Sequence, residues 1–130
     1  MIPTAIVNAL RGEDIEIYGN GEQTMDLVHT IDTVEATLAV MDNWYRCEGS
    51  IFEIGVSEEI TVNQASKDII SLTDSCSRIV HVPMRKGETD NTRIKANLTK
   101  INILADWSPR VSLRDGLIET IRWYKDRYGL

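Results

Sequence analysis

Apolar residues recur along the chain in short blocks whose spacing alternates between helical and extended periods. Pro3 leads Ala5, Ile6, Val7, Ala9 and Leu10 into Arg11-Gly12. Proline in the first turn and glycine at the close predict a short helix. Ile15, Ile17 and Tyr18 then predict a strand that ends at the turn Gly19-Asn20-Gly21, and a second extended stretch is expected over Met25 to Thr30. Ile51 to Ile54, ending at Gly55, and Arg78 to Val82, ending at Pro83, read as two more strands.

Three capping boxes mark helix starts. Asp32 with Glu35 precedes Val34, Leu38, Met41 and Tyr45, an apolar stripe at helical spacing. Thr61 with Gln64 opens a helix from Val62 to about Leu72. Ser112 with Asp115 opens the clearest one, in which Leu113, Leu117, Ile121, Tyr124 and Tyr128 share a face. Asn97 is placed to cap a shorter helix through Leu104. The expected fold is mixed α/β (α+β), with about four short strands and four or five helices. No repeat or linker composition interrupts residues 1–130, so a single domain is expected.

Composition adds limits. The 130 residues carry 14 basic and 20 acidic side chains, net -6. That balance argues against nucleic acid or an anionic membrane as a partner of the whole chain. No apolar run has the length of a membrane span, and no signal-like segment follows Met1, so the reducing cytoplasm is the expected location. Cys47 and Cys76 are too few for a disulfide framework. With only His29 and His81 beside them they form no metal-ligand spacing, and no metal is expected.

Several catalytic patterns are missing from these residues. The run Gly19-Asn20-Gly21-Glu22-Gln23-Thr24 begins like a dinucleotide fingerprint, but its sixth position is threonine and no helical pattern opens behind it. A tight turn is the simpler reading. No Walker-type loop or nucleophile elbow is present, and no tyrosine is followed four residues later by lysine. No catalytic residue is assigned.

Charge, however, is unevenly placed. Arg78, Arg85, Lys86, Arg93, Lys95 and Lys100 face only Glu88 and Asp90 between positions 78 and 100, giving +4 there against -10 elsewhere. A phosphorylated ligand would need such a segment, because guanidinium grips phosphate in a planar fork. Arg85 and Glu88 sit on a glycine-containing turn behind a strand, where binding residues are often carried.

Five ordered motifs resemble the C-terminal, substrate-binding portion of the extended short-chain dehydrogenases/reductases, the NAD-dependent nucleotide-sugar epimerases and dehydratases. Ile2-Pro3 through Gly12 resembles the family's "IP-x-x-I…G" helix. IYGNGEQTMDLVHTID resembles "IYGDGxQxRDFxHVDD", and IFEIGVSEEITV resembles "xFNIGxGxxxSV". VPMRKGETDNTRIKANLTK resembles "RPGE…D-x-x-KA", and WSPRVSLRDGLIETIRWYK resembles the closing "GWxPxxxLxxGLxxTIxWY".

The resemblance implies a substrate site. Ile17 and Tyr18 would flank the nucleotide base, Arg85 would hold the diphosphate, and Glu88 would accept hydrogen bonds from ribose hydroxyls. It also sets departures. The arginine of "RDF" is Met25, which can donate no hydrogen bond. The first aspartate of "VDD" is Ile31, the asparagine of "FNIG" is Glu53, and the aspartate before the last short helix is Asn97. The family's glycine fingerprint and Tyr-x-x-x-Lys pair belong to an N-terminal Rossmann half that has no counterpart here, so no NAD is expected on this chain.

The leading expectation is a non-catalytic module of the substrate-domain fold that binds a nucleoside diphosphate or nucleotide-sugar weakly. One alternative is half of a split or truncated epimerase/dehydratase that needs a cofactor domain in trans. Another is an oligomeric interaction protein that has lost its ligand. Faces left without the cofactor half predict a homo-oligomer, with a two-fold dimer as the commonest closed solution.

Overall fold

The computed structural model describes residues 1–89 and 92–129. Asp90, one of the two acids in the basic segment, lies outside the described residues. Among the described residues ten elements follow one another, and the mixed α/β character expected from the sequence is present. The chain divides into two compact units.

The first unit comprises Met1–Met25, Ile60–Arg93 and Arg114–Leu130. Helix α1 (Ile2–Arg11) carries Pro in its first turn and ends on Gly12 in the left-handed conformation, at φ 70°. There the Gly12 and Glu13 N–H groups donate back to the carbonyls of Ala9 and Asn8. Strand β1 (Ile15–Tyr18) alternates buried Ile15 and Ile17 with outward Glu16, as a half-buried strand should. It pairs in parallel with β4 (Ile79–Val82), with Ile17 opposite His81 and Tyr18 opposite Val82. The crossover between them is α4 (Val62–Thr73), which packs on α1 and buries Val62, Ala65 and Ile69.

The Thr61 Oγ1 accepts the Gln64 N–H at 3.0 Å, so that cap forms as expected. The reciprocal half of the box does not, because the Gln64 amide turns to Asp68 instead. A second small sheet pairs β2 (Thr24–Met25) antiparallel with β3 (Ile60–Thr61). Only Met25 of the expected stretch Met25 to Thr30 is strand. Helix α6 (Leu113–Tyr128) starts directly after Ser112 and buries Gly116, Leu117 and Ile121.

The second unit comprises Asp26–Glu59 and Ile94–Leu113. Helix α2 (Thr30–Asp42) is followed by the short α3 (Trp44–Cys47) and later by α5 (Thr99–Ala105). Its core is small: Ala36, Cys47, Ile101, Ala105 and Trp107, with Ala39, Val40, Phe52 and Ile54 against them. Ile51 to Ile54 forms no strand, and Ile51 stands 84% exposed. Asn97 accepts the Thr99 N–H at 3.0 Å at the start of α5, close to the role expected of it.

One expectation for α2 is corrected. Asp32 does not cap the helix. The helix begins earlier, and His29 Nδ1 accepts the Ile31 N–H. The Asp32 carboxylate is fully buried and accepts the backbone N–H groups of Arg110 and Val111, each at 3.0 Å. Glu35 lies 3.9 Å from Arg110 rather than turning back to the helix start. The stripe Val34, Leu38, Met41 and Tyr45 is 58, 51, 62 and 96% exposed. Periodicity shows that residues share a face and is silent on whether this chain covers it.

Candidate functional site

Within the first unit, β1 delivers Ile17 and Tyr18 to the floor of a cavity of about 350 Å³, and the turn after β4 delivers Arg85 and Glu88 to its rim. All four residues expected at a substrate site therefore line one space. Asn8 and Thr4 of α1, Gln23, Met25 and Val62 complete much of the wall.

The local folding is simple. Gly19 N–H donates to the Val82 carbonyl at 2.9 Å, which extends the parallel pairing by one bond past Tyr18. Pro83 then ends β4, and the following turn is closed by the Glu88 N–H on the Arg85 carbonyl, with Gly87 at φ 92°. The turn holds Arg85 so that its guanidinium carbon is 3.9 Å from the Tyr18 ring centroid. Glu88 Oε1 is 3.9 Å from Arg85 Nη1. Both of these side chains remain more than half exposed, free to turn toward a ligand.

The four residues contribute unequally. Ile17 is 2% exposed and serves as wall and core together, presenting little surface of its own. Tyr18 offers a ring and a hydroxyl. Among the described residues that line the cavity, Arg85 is the one basic side chain, and Glu16 and Glu88 are the acids. The other basic residues of the segment do not line it. Arg78 is committed to Asp14 through a 2.7 Å contact, and Lys95 and Lys100 belong to the second unit. That hydrogen bond holds the Asp14 carboxyl below the usual carboxylate range and raises Arg78.

Gln23 was not singled out from the sequence. Its Nε2 donates to the Tyr18 carbonyl at 3.0 Å, while its Oε1 is buried and accepts nothing among the described residues. A buried acceptor lacking a partner costs about 1–3 kcal/mol, so a ligand donor or water is its natural complement. Its signal was in the quoted motif, where glutamine stands at the family's position.

The Gly19-Asn20-Gly21 turn connects β1 to β2, not to a helix. Gly21 has φ +75°, and a Cβ there would run into the Asn63 side chain. Asn63 itself donates to the Asn20 carbonyl at 2.9 Å and to Glu22 at 2.7 Å, clasping the turn to α4. These residues do not fit a dinucleotide pyrophosphate, which needs a strand–turn–helix. Among the described residues no group of three or more His, Cys, Asp or Glu is placed to hold a metal. Among them no helix is long and apolar enough to cross a membrane.

An α/β chain with this cavity at the end of a parallel strand pair has strong homology, in sequence and fold, to the NAD-dependent nucleotide-sugar epimerases and dehydratases of the extended short-chain dehydrogenase/reductase class. The profile of the NAD dependent epimerase/dehydratase family matches residues 1–55. The UDP-N-acetyl-alpha-D-glucosaminuronate decarboxylase of Bacillus cytotoxicus is 38% identical over 130 residues, covering 97% of this chain and 40% of the relative. The dTDP-glucose 4,6-dehydratase of Streptomyces niveus is 31% identical, over 97% of this chain and 37% of its own. The crystal structure of the Thermotoga maritima UDP-glucose 4-epimerase with UDP-glucose superposes with a TM-score of 0.87 at 32% identity, covering 97% of this chain and 39% of that one. The chain thus spans about two fifths of the length of the relatives it matches.

Proposed function

We propose that this chain is the nucleotide-sugar-binding part of an NAD-dependent epimerase/dehydratase and that it works with a cofactor-binding part supplied by the remaining three fifths of such an enzyme. The observation that carries this reading is the convergence of Ile17, Tyr18, Arg85 and Glu88 on one cavity. Partial coverage of catalytic relatives favours it over a self-sufficient non-catalytic module.

In this reading the nucleotide base lies against Tyr18, Gln23 Oε1 accepts one of its N–H groups, and Arg85 leaves Glu88 to grip the diphosphate. Glu88 then turns to the ribose hydroxyls. NAD, held by the other part, supplies the hydride chemistry; the residues present here bind and orient the sugar nucleotide. Catalytic proton transfer is assigned to the other part as well.

Met25 in the cavity wall favours a second reading, that of a module which binds but does not turn over its ligand. A thioether in place of a second cation forgoes a charge-assisted contact of about 1.5–3 kcal/mol. The primary test is thermal unfolding with ligand present. UDP or dTDP raises the midpoint of the wild-type chain, since a ligand that binds only the folded state stabilises it. It leaves that of Arg85→Ala nearly unmoved. A wild-type midpoint indifferent to every nucleoside diphosphate and nucleotide-sugar sinks both readings.

A further inference from the structure

The first unit holds a second cavity, of about 200 Å³, that shares no lining residue with the first. Leu72, near the end of α4, lines it together with Ile118, Ile121, Arg122 and Lys125 of α6. The four α6 residues follow the spacing i, i+3, i+4, i+7, so one helix face supplies both an apolar wall and two cations. Ile121 is 4% exposed, whereas Arg122 and Lys125 are exposed.

These two cations are not engaged within the chain. Neither is in an ion pair among the described residues, although Arg78, Arg85 and Arg110 each are. Among the described residues that line the cavity none is acidic, on a chain of net charge -6. The end of α4 does not employ them either. Its closing carbonyls are answered by backbone, with the Ser75 N–H donating to Ile70 at 3.1 Å and the Asp74 N–H to Ser71 at 3.4 Å. Two like charges three residues apart on a helix repel each other, and an anion held between them relieves the repulsion.

Shape and charge together select the ligand. An inorganic anion would meet the cations and leave Leu72, Ile118 and Ile121 wet, and a neutral hydrocarbon would do the reverse. Guanidinium matches a carboxylate in a planar fork, with lysine as an added point charge. At about 200 Å³ the space is smaller than the first cavity and below the roughly 300–1,000 Å³ usual for drug-sized ligands. We propose that it binds a small aliphatic carboxylate, a short-chain fatty acid in its ionised form. Arg122 and Lys125 hold the carboxylate, and the alkyl chain lies on Leu72, Ile118 and Ile121. The proposal stands apart from the nucleotide-sugar reading, since the two cavities have no lining residue in common.

The test is calorimetric titration of the full 130-residue chain with hexanoate, acetate and hexanol at neutral pH. Hexanoate binds at one site per chain. It binds at least about tenfold more tightly than acetate, which lacks the apolar body, or hexanol, which lacks the charge. The double variant Arg122→Gln, Lys125→Gln loses at least about tenfold in hexanoate affinity. It keeps its thermal midpoint, as exchanges at exposed positions should. On the wild type, hexanoate moves the amide NMR signals of Leu72, Ile118 and Ile121, and excess UDP leaves that response unchanged. Absence of hexanoate binding, or an affinity matched by acetate or hexanol, overturns the site. So does binding that survives the double variant, signal changes centred outside the cavity, or displacement of hexanoate by UDP.

Discussion

The guanidinium carbon of Arg85 lies 3.9 Å from the centroid of the Tyr18 ring, tying the loop after β4 to the end of β1. The stack sets the resting position of the cation at the cavity rim. A partly exposed pair of this kind is worth about 0.5–1 kcal/mol. Tyr18→Leu therefore weakens UDP binding about two- to fivefold. Tyr18→Phe, which keeps the ring, stays close to wild type. Calorimetry on the two variants checks this, and equal losses in both would assign the effect to the hydroxyl instead.

Asp26 organises the second unit. Its carboxylate accepts the backbone N–H groups of Val56 at 2.7 Å, Ser57 at 3.0 Å and Ala96 at 2.9 Å. Asp26→Ala leaves three donors without their acceptor and costs about 3 kcal/mol. Gly55 lies against the same group, and a Cβ there would come within 2.6 Å of both Asp26 Oδ2 and the Ala96 side chain. Urea unfolding should show Asp26→Ala and Gly55→Ala both destabilising, with the double variant less than additive because they disturb one cluster.

The buried Asp32 carboxylate gives a separate prediction. It holds Arg110 and Val111 N–H groups across 78 and 79 residues of sequence. Asp32→Asn keeps a single acceptor oxygen and loses about half of what Asp32→Ala loses, roughly 1.5 against 3 kcal/mol. Thermal melts of the two variants measure it. Equal stabilities would mean that the loop finds other partners.

These two aspartates show where the sequence was legible and where it was not. The element order could be read because α1, β1, α4 and β4 are each framed by local signals: Pro3 and Gly12, the Gly19–Gly21 turn, the Thr61 cap and Pro83. Arg85, Glu88, Tyr18 and Ile17 could be named from family motifs and then met in one cavity. Asp32 was misread because a carboxylate in a helix's first turn looks like a cap whatever it bonds. Its partners lie almost 80 residues away. The spacing of the α2 stripe is likewise set locally, and its covering is not.

Asp14 and Arg78 supply the pH-dependent term. The side-chain hydrogen bond from Arg78 lowers the Asp14 carboxyl below its ordinary value. A carboxyl lowered on folding adds stability above its unfolded pKa, about 3.9, and that stability is lost as pH falls through the lower native value. Arg78→Ala therefore narrows the stability gap between pH 3 and pH 6, relative to wild type, by removing the term at the higher pH. Both groups are exposed, so the change is small and fades with salt. Paired urea melts at low and high salt would show it.

Calorimetric titration with UDP and uridine, on wild type and Arg85→Ala, tests the proposed grip of Arg85 on a diphosphate at the mouth of this cavity. Wild type is expected to bind UDP about 10- to 150-fold more tightly than uridine, the equivalent of one charge-assisted contact of roughly 1.5–3 kcal/mol. In Arg85→Ala that preference collapses while uridine binding holds. Equal affinity of the wild type for UDP and uridine, or a UDP preference that survives the loss of Arg85, would contradict it.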